Sequence, residues 1–165
     1  MKVKDVMTRD AKTCGPQASL AAAAALMWEN DCGTLPVVED GGRVVGMITD
    51  RDICIGAATK NRAPSEIAVG EVITGEVYAC APDDDMREAL ETMRRERVHR
   101  LPVVGADGEL RGVVSMNDVV LRAELKADGE APELTYADVV QTYKAICAHP
   151  RRELELSQRQ QAATA

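Results

Sequence analysis

Aromatic residues are scarce in this chain, which has no Phe, one Trp and three Tyr among its 165 residues. Proteins that bind single-stranded nucleic acid stack the bases on aromatic side chains beside a basic groove. The chain has a formal net charge of −7, so its composition supplies neither feature. We expect no nucleic-acid partner, and the acidic balance also argues against binding to anionic membranes.

Long apolar runs are also missing. No segment has the roughly 18 uninterrupted apolar residues of a membrane span, and residues 1–5 contain lysines without the apolar stretch of a signal peptide. With 45% apolar and 28% charged residues, the composition is that of a soluble globular protein. We expect a cytoplasmic location.

Residues that do covalent chemistry are few. The five cysteines are odd in number and show no CxxC spacing, so we expect small core residues or free thiols. Two histidines leave few places for a Cys–His or Ser–His pair, and we expect no catalysis and no metal. Cys147 and His149 could still supply two metal ligands, with others from a partner chain. A metal-binding, redox-sensing module is therefore one alternative.

The chain repeats itself. Residues 3–53 align with residues 69–119 at a constant shift of 66 and without a gap, and fourteen of the 51 positions are identical. The identities include residues 35–38, which match residues 101–104, and Asp52, which matches Asp118. An ungapped match of this length predicts two copies of one structural unit.

Each copy predicts a βαββα unit. A leading segment and a short extended run come first, and a proline, Pro16 or Pro82, stands where a helix can begin. Two apolar runs joined by a Gly-containing turn then predict a β-hairpin, and a second helix closes the copy. One unit of about 55 residues is small to stand alone. We therefore predict an α/β (α+β) fold in which two repeats share a core around a pseudo-twofold axis.

The repeats divide the chain into four parts. Residues 1–60 form repeat 1, residues 61–66 a linker, residues 67–125 repeat 2, and residues 126–165 a linker, an amphipathic helix and a polar tail. The helix is predicted by a capping box at Thr135 and Asp138. Its apolar stripe has helical spacing and consists of Tyr136, Val139, Val140, Tyr143, Ile146 and Cys147.

The candidate site is a motif that occurs once in each repeat, Thr49-x-x-Asp52 and Ser115-x-x-Asp118. Each motif follows a strand and opens a helix, where unpaired N–H groups and a hydroxyl suit a phosphate. A carboxylate one turn later can accept hydrogen bonds from the two hydroxyls of a ribose. The same pattern is also a plain capping box, which stabilises a helix by about 1 kcal/mol. Two matches at equivalent places favour nucleotide binding, and an interaction module with simple caps is the other alternative.

A family resemblance is carried by five segments, residues 3–8, 35–38, 46–53, 99–104 and 112–119. On these motifs, over residues 2–123, the chain resembles tandem cystathionine-β-synthase (CBS) domains, known as a Bateman module. It looks like a small stand-alone bacterial CBS-pair protein. The resemblance implies a regulatory, signal-transducing module that binds AMP, ADP or ATP, or else NAD or S-adenosylmethionine. It also implies a homodimer that acts on an effector protein, without catalysis or a required cofactor.

The resemblance further implies two composite sites, each made from the corner of one repeat and the strands of the other. Site A would consist of Thr49, Asp50, Arg51, Asp52, Tyr78, His99 and Arg100. Site B would consist of Ser115, Met116, Asn117, Asp118, Lys12, Gly33 and Thr34. An apolar slot for the adenine is placed near Val6, Met7, Val72 and Ile73.

The two predicted sites differ in charge. Repeat 1 has Gly33 and Thr34 where repeat 2 has His99 and Arg100. Because Arg suits phosphate, we expect site A to be the stronger phosphate site and site B to lack this cation.

Overall fold

The computed structural model describes residues 1–73, 75–124 and 133–148, and it confirms the duplicated fold. Repeat 1 has the order helix, hairpin, helix, and repeat 2 has the same order. The helices are α1 (Leu20–Glu29), α2 (Asp50–Thr59), α3 (Met86–Glu96), α4 (Met116–Arg122) and α5 (Tyr136–Cys147). The strands are β1 (Thr34–Val38), β2 (Val44–Thr49), β3 (Arg100–Val104) and β4 (Leu110–Ser115).

The two predicted hairpins are confirmed, and they have the same register. Strand β1 pairs antiparallel with β2, and β3 pairs in the same way with β4. The first strand of each βαββα unit is reduced to a single parallel bridge, from Cys14 to Val37 in repeat 1 and from Cys80 to Val103 in repeat 2. Each hairpin buries its apolar residues against the helices of its own repeat.

The leading segments exchange places between the repeats. The amide of Val3 donates to the carbonyl of Asp84 at 3.0 Å, and the amide of Val69 donates to that of Ala18 at 2.8 Å. Val3 and Val6 are buried in the core of repeat 2, whereas Val69 is buried in the core of repeat 1. Each core is therefore completed by residues from the other copy.

The prolines do not open the helices. Helix α1 begins at Leu20, and its N-cap is Ser19, whose hydroxyl accepts from the amide of Ala22 at 3.1 Å. The carbonyl of Pro16 instead accepts from the amide of Gly70 at 2.8 Å. Repeat 2 behaves in the same way at Pro82. The prediction was wrong because these prolines bind the leading segment of the other repeat, ahead of the helix.

Helix α5 is confirmed and packs on repeat 2. Val139, Tyr143 and Ile146 face its core, but Tyr136 and Val140 of the predicted stripe are exposed. The predicted polar tail, most of the linker before α5 and His149 lie outside the described residues. In the part of the chain that the structure describes, every helix is too short or too polar to cross a bilayer.

Gly112 lies where the leading segment of repeat 1 crosses strand β4. A Cβ on Gly112 would come within 2.5 Å of the backbone carbonyl oxygen of Thr8. We predict that Gly112→Ala lowers the free energy of unfolding by about 2 kcal/mol, the usual cost of overpacking, since the backbone of Thr8 cannot yield without losing its bridge to Val113. Urea denaturation measures the effect.

The matched control is Gly75→Ala, because a Cβ at Gly75 has no atom of the described residues within 4 Å, its chain neighbours apart. We expect that variant to be as stable as the wild type or slightly more stable. Equal stabilities for the two alanine variants would contradict the described crossing of the leading segment over β4.

Candidate functional site

Both strand-to-helix corners are closed capping boxes. In repeat 1, Oδ2 of Asp52 accepts from the Thr49 amide at 3.0 Å and from its hydroxyl at 2.7 Å. The Thr49 hydroxyl oxygen in turn accepts from the Asp52 amide at 3.2 Å. In repeat 2 the corresponding distances between Ser115 and Asp118 are 2.8, 2.6 and 3.4 Å. The motif therefore caps the helix in both repeats.

A third capping box shows what the motif does by itself. Thr135 and Asp138 make the same three hydrogen bonds at the start of α5, at 2.9, 2.7 and 3.2 Å. The Oδ1 atom of Asp138 forms an ion pair with Arg87, whose Nη1 atom lies 3.7 Å away. Oδ1 accepts no hydrogen bond in any of the three boxes, but Asp52 and Asp118, unlike Asp138, also have no ammonium or guanidinium nitrogen of a described residue within 4.0 Å. A carboxylate oxygen is thus available for a ligand at the two corners that belong to the repeats.

The repeat 1 corner opens into a cavity of about 550 Å³, which we call cleft A. This volume is in the range of sites for small ligands. The structure brings all seven predicted site A residues to its wall. They are Thr49, Asp50, Arg51, Asp52, Tyr78, His99 and Arg100.

The repeat 2 corner opens into a second cavity of about 410 Å³, which we call cleft B. Six of the seven predicted site B residues line it. They are Ser115, Asn117, Asp118, Lys12, Gly33 and Thr34. Met116 does not, because its side chain is buried in the core of repeat 2. The equivalent Asp50 is exposed and lines cleft A.

Arg100 lines both clefts. Its Nη2 atom comes within 3.7 Å of the point where a Cβ on Gly33 would lie. The expectation that site B lacks the cation of site A was therefore wrong. The absence of a side chain at Gly33 leaves room for the guanidinium of Arg100 at cleft B. Within the described residues, Arg100 has no carboxylate oxygen within 4.0 Å.

The clefts still differ in charge, and two of the residues responsible were not predicted. Arg97 lines cleft A, and Asp31, which stands 66 positions earlier in the sequence, lines cleft B. Both have left-handed backbone conformations, with φ values of 56° and 48°. The repeat alignment pairs these positions, so it could have identified them. Cleft A is the more positive of the two.

Two titratable groups of cleft A have shifted pKa values. Burial lowers the pKa of His99 below its usual 6.5, and the charge of Arg100 acts in the same direction. The carboxylate of Glu76, followed by burial, raises the pKa of Tyr78 to about 12. At neutral pH, His99 is therefore neutral and Tyr78 is a hydrogen-bond donor.

The structure does not bring the predicted adenine slot to either cleft. Val6 is buried in the core of repeat 2, with Met7 packed against that core, and Val72 and Ile73 pack against the core of repeat 1. Val72 also lines a smaller cavity of about 210 Å³ beside Asp52 and Ile55, separate from clefts A and B. Cleft A has its own apolar wall instead, formed by Met47, Ile55 and Val98.

The cysteines do not form a metal cluster in the described part of the chain, where no three His, Cys, Asp or Glu residues come together as ligands. Burial raises the pKa of the Cys14 thiol to about 11 and, with a contribution from Asp84, that of Cys80 to about 12. Both thiols are therefore poor nucleophiles. Cys147 is exposed, and His149 lies outside the described residues.

Comparison with known proteins identifies the family. The chain matches the CBS domain family twice, at residues 3–56 and 69–124. It therefore belongs to the CBS domain family and contains a pair of CBS domains. The pairing of two βαββα repeats with a cleft at each corner agrees with this assignment.

Three relatives show the range of proteins that contain such a pair. Hypoxic response protein 1 of Mycobacterium tuberculosis is 32% identical over 145 residues, which cover 88% of this chain and 93% of that protein. A solved structure of hypoxic response protein I with two coordinated zinc ions has a TM-score of 0.69 at 31% identity, covering 75% of this chain and 100% of that one.

The CBS domain pair of protein MJ0100, solved with 5-methylthioadenosine and S-adenosyl-L-methionine, has a TM-score of 0.67 at 24% identity and covers 73% of this chain and 94% of that one. Inosine-5'-monophosphate dehydrogenase of Thermoplasma acidophilum is 32% identical over 118 residues, which are 71% of this chain but only 22% of the enzyme. The match to this enzyme is thus confined to a small part of its length.

Proposed function

We propose that this CBS pair binds an adenine nucleotide or an S-adenosyl ligand in clefts A and B and acts as a regulatory module without catalysis. The observation that carries the proposal is the position of the two corner carboxylates. Asp52 and Asp118 each keep one oxygen available and face a cavity of 410 to 550 Å³, whereas Asp138 caps α5 away from both. If the chain were an interaction module with plain caps, there would be no reason for Asp52 and Asp118 to face cavities while Asp138 does not.

In cleft A, the ribose hydroxyls donate to Oδ1 of Asp52, while the phosphates lie near Arg51, His99 and Arg100. The adenine ring packs against the apolar wall of Met47, Ile55 and Val98. Arginine binds phosphate through charge-assisted, often bidentate hydrogen bonds. The MJ0100 pair, solved with two adenosine-containing ligands, supports this class of ligand.

In cleft B, the ribose lies on Asp118, and Lys12 and Arg100 supply the positive charge. Asp10 and Asp31 line the same cleft and oppose a highly charged phosphate chain. We infer that cleft B prefers a ligand with fewer negative charges than cleft A.

Binding without turnover is supported by the hydrogen bonds of the Thr49 and Ser115 hydroxyls, which leave neither hydroxyl free to act as a nucleophile. The hydroxyls of Thr49 and Ser115 donate to the carboxylates of their own capping boxes, at 2.7 and 2.6 Å. They are therefore committed to the helix termini. A ligand regulates the module by binding one arrangement of the repeats better than another, and this difference is passed to an effector protein in the cytoplasm.

The proposal is tested by thermal unfolding in the presence of AMP, ADP, ATP, NAD or S-adenosylmethionine and, in a separate experiment, of Zn²⁺. A ligand at about 100 times its Kd stabilises the protein by about 2.7 kcal/mol. Saturable stabilisation by at least one of these ligands, without its turnover, is the expected result. Stabilisation by zinc alone would favour a metal-binding module, and hydrolysis of a nucleotide would show an enzyme.

His99 makes phosphate binding in cleft A dependent on pH. The pKa of His99 without ligand lies below 6.5. A bound phosphate stabilises the imidazolium and raises this pKa, so His99 takes up a proton when the ligand binds at a pH near 6. We expect the ratio of wild-type affinity to His99→Gln affinity to rise between about pH 8 and about pH 6. Titrations at several pH values measure it, and the ratio removes the titration of the ligand itself. A ratio that is constant over this range would contradict contact between His99 and the phosphate.

A further inference from the structure

Three sulfur-bearing residues of repeat 1 line one cavity of about 500 Å³, which we call the sulfur cavity. They are Met27 of α1, Cys32 in the segment before β1, and Cys54 of α2. By contrast, the described walls of clefts A and B have one sulfur-bearing residue each, Met47 and Cys32. Thiolates and thioethers are soft ligands, and this type of donor selects soft metal ions such as Cu(I).

The backbone brings the three residues to the cavity from three parts of repeat 1. The amide of Cys32 donates to the carbonyl of Met27 at 3.0 Å, and the amide of Asp50 donates to the carbonyl of Gly33 at 3.2 Å. The first bond folds the segment after α1 back onto that helix, and the second holds the start of α2 beside this segment. Cys54 stands four residues after Asp50, on the same side of α2, and both residues line the cavity.

The duplication does not account for the two thiols of this cavity. The residues that stand 66 positions after Cys32 and Cys54 are Val98 and Val120. The same structural unit therefore forms in repeat 2 without sulfur at either position. Cys32 packs partly buried against the core of repeat 1, but Cys54 is exposed. Packing within the repeat unit thus does not require this pair of cysteines.

The other cysteines of the chain differ from this pair. Cys14 and Cys80 occupy equivalent positions in the two repeats. Burial raises the pKa of their thiols to about 11 and about 12, so both stay protonated at neutral pH, and the thiolate is the form that binds metals. Cys147 is exposed on α5. Cys32 and Cys54 are the two thiols that line a common cavity.

The surroundings of the sulfur cavity favour a cation. Asp31 and Asp50 line it and contribute negative charge, and its described wall contains no Lys, Arg or His. Trp28 lines it as well and is 89% exposed. The face of an indole ring attracts cations. Charge, aromatic ring and sulfur donors therefore indicate the same kind of ligand.

The donor set favours Cu(I) over zinc. Structural zinc sites have a closed tetrahedral shell of Cys, His, Asp or Glu ligands. Within the described residues, no third member of these residue types joins Cys32 and Cys54 in such a group. Cu(I) is softer and accepts thioether sulfur, so Met27 can complete its ligand set.

We propose that Cys32, Cys54 and Met27 form a binding site for one Cu(I) ion. As the ion binds, the S–H bond of each cysteine breaks, both protons pass to water, and two S–Cu bonds form while copper stays monovalent. The Met27 sulfur binds through a lone pair. Because Cys54 is exposed, its side chain can rotate toward Cys32. The site is separate from the proposed ribose and phosphate contacts, so its test does not depend on nucleotide binding.

Anaerobic titration of the reduced protein with Cu(I), in competition with the chromogenic Cu(I) chelator bicinchoninate, measures both affinity and stoichiometry. We expect one Cu(I) per chain. Trp28 is the one Trp of the chain, so quenching of its fluorescence should follow the binding at this cavity. Zn²⁺ titrated in the same way should leave the emission unchanged.

Cysteine variants identify the ligands. Cys32→Val and Cys54→Val introduce the residues that repeat 2 has at the equivalent positions, so both should fold. Each should raise the Kd for Cu(I) by at least about a hundredfold, because losing even an outer hydrogen-bonding partner of a metal site costs roughly 10–100-fold. Met27→Leu keeps the volume of the side chain and should raise the Kd by less, because a neutral thioether binds more weakly than a thiolate. Cys147→Ser is the matched control and should bind Cu(I) like the wild type.

Three results would overturn the proposal. A wild type that takes no Cu(I) from the chelator has no such site. Cu(I) binding that persists in Cys54→Val, or that is lost in Cys147→Ser, places the ion elsewhere. Because Cys54 is exposed, its replacement tests the site even if Cys32→Val is unstable, and thermal unfolding shows which variants are folded. Zn²⁺ that quenches Trp28 and displaces Cu(I) would mean that the cavity binds a harder metal.

Discussion

Replacing Arg100 with Gln will weaken the binding of a phosphorylated ligand in both clefts, because this one guanidinium lines both. A hydrogen bond from Arg to phosphate is charge-assisted, and its loss costs about 2 kcal/mol, or roughly thirtyfold in Kd. Calorimetric titration of the wild type and of Arg100→Gln measures the Kd of each cleft, and both Kd values should rise.

The single-cleft controls are Arg51→Gln and Lys12→Gln. Arg51 lines cleft A, and Lys12 lines cleft B. Each control should therefore weaken one site and leave the other at its wild-type affinity. If Arg100→Gln affects only one of the two sites, its guanidinium is not shared in solution.

Removal of a corner carboxylate has the second large effect. Asp52→Ala should abolish measurable binding in cleft A, and Asp118→Ala should do so in cleft B, since each removes the proposed acceptor for both ribose hydroxyls. A buried hydrogen bond between a hydroxyl and a carboxylate contributes about 1.5–3 kcal/mol, so the loss of two corresponds to at least about a hundredfold in Kd. Titration of each variant with the best ligand of the wild type measures the loss.

Asp138→Ala is the matched control for these variants. It removes the same two hydrogen bonds that the carboxylate accepts from the N-cap residue, at distances that agree within 0.1 Å with those of Asp52. Each of the three variants should lose about 1 kcal/mol of stability, because the N-cap residue stays but its reciprocal hydrogen bonds to the carboxylate are lost. Only Asp52→Ala and Asp118→Ala should lose ligand affinity. Equal affinity in all three would mean that the corners are caps and nothing more.

The sequence predicts the repeats and their corners well because both depend on local patterns. A fixed shift of 66 residues places every strand and helix of repeat 2 once repeat 1 is known, and the capping boxes require only residues three apart. All seven residues predicted for site A line one cavity. Met116, which was predicted for site B, does not line cleft B. The residue after the Thr or Ser of the motif can point into the core or toward the cleft, and the motif alone does not distinguish the two cases.

The missed features depend on contacts between the repeats. The exchange of the leading segments removes Val6 and Ile73 from the clefts, and nothing within one repeat signals that exchange. Arg100 reaches cleft B because Gly33 belongs to the other copy and has no side chain. The exposed half of α5 was likewise missed, because an apolar stripe does not show which of its residues the same chain will cover.

The most direct test of nucleotide binding is calorimetric titration of the wild type and of the Asp52→Ala, Asp118→Ala double variant with the ligand that most stabilises the wild type. Our account predicts saturable binding to the wild type at two unequal sites per chain. It predicts no measurable heat with the double variant, which must still unfold cooperatively. Binding that persists in the folded double variant, or the absence of binding by any adenine ligand to the wild type, would contradict it.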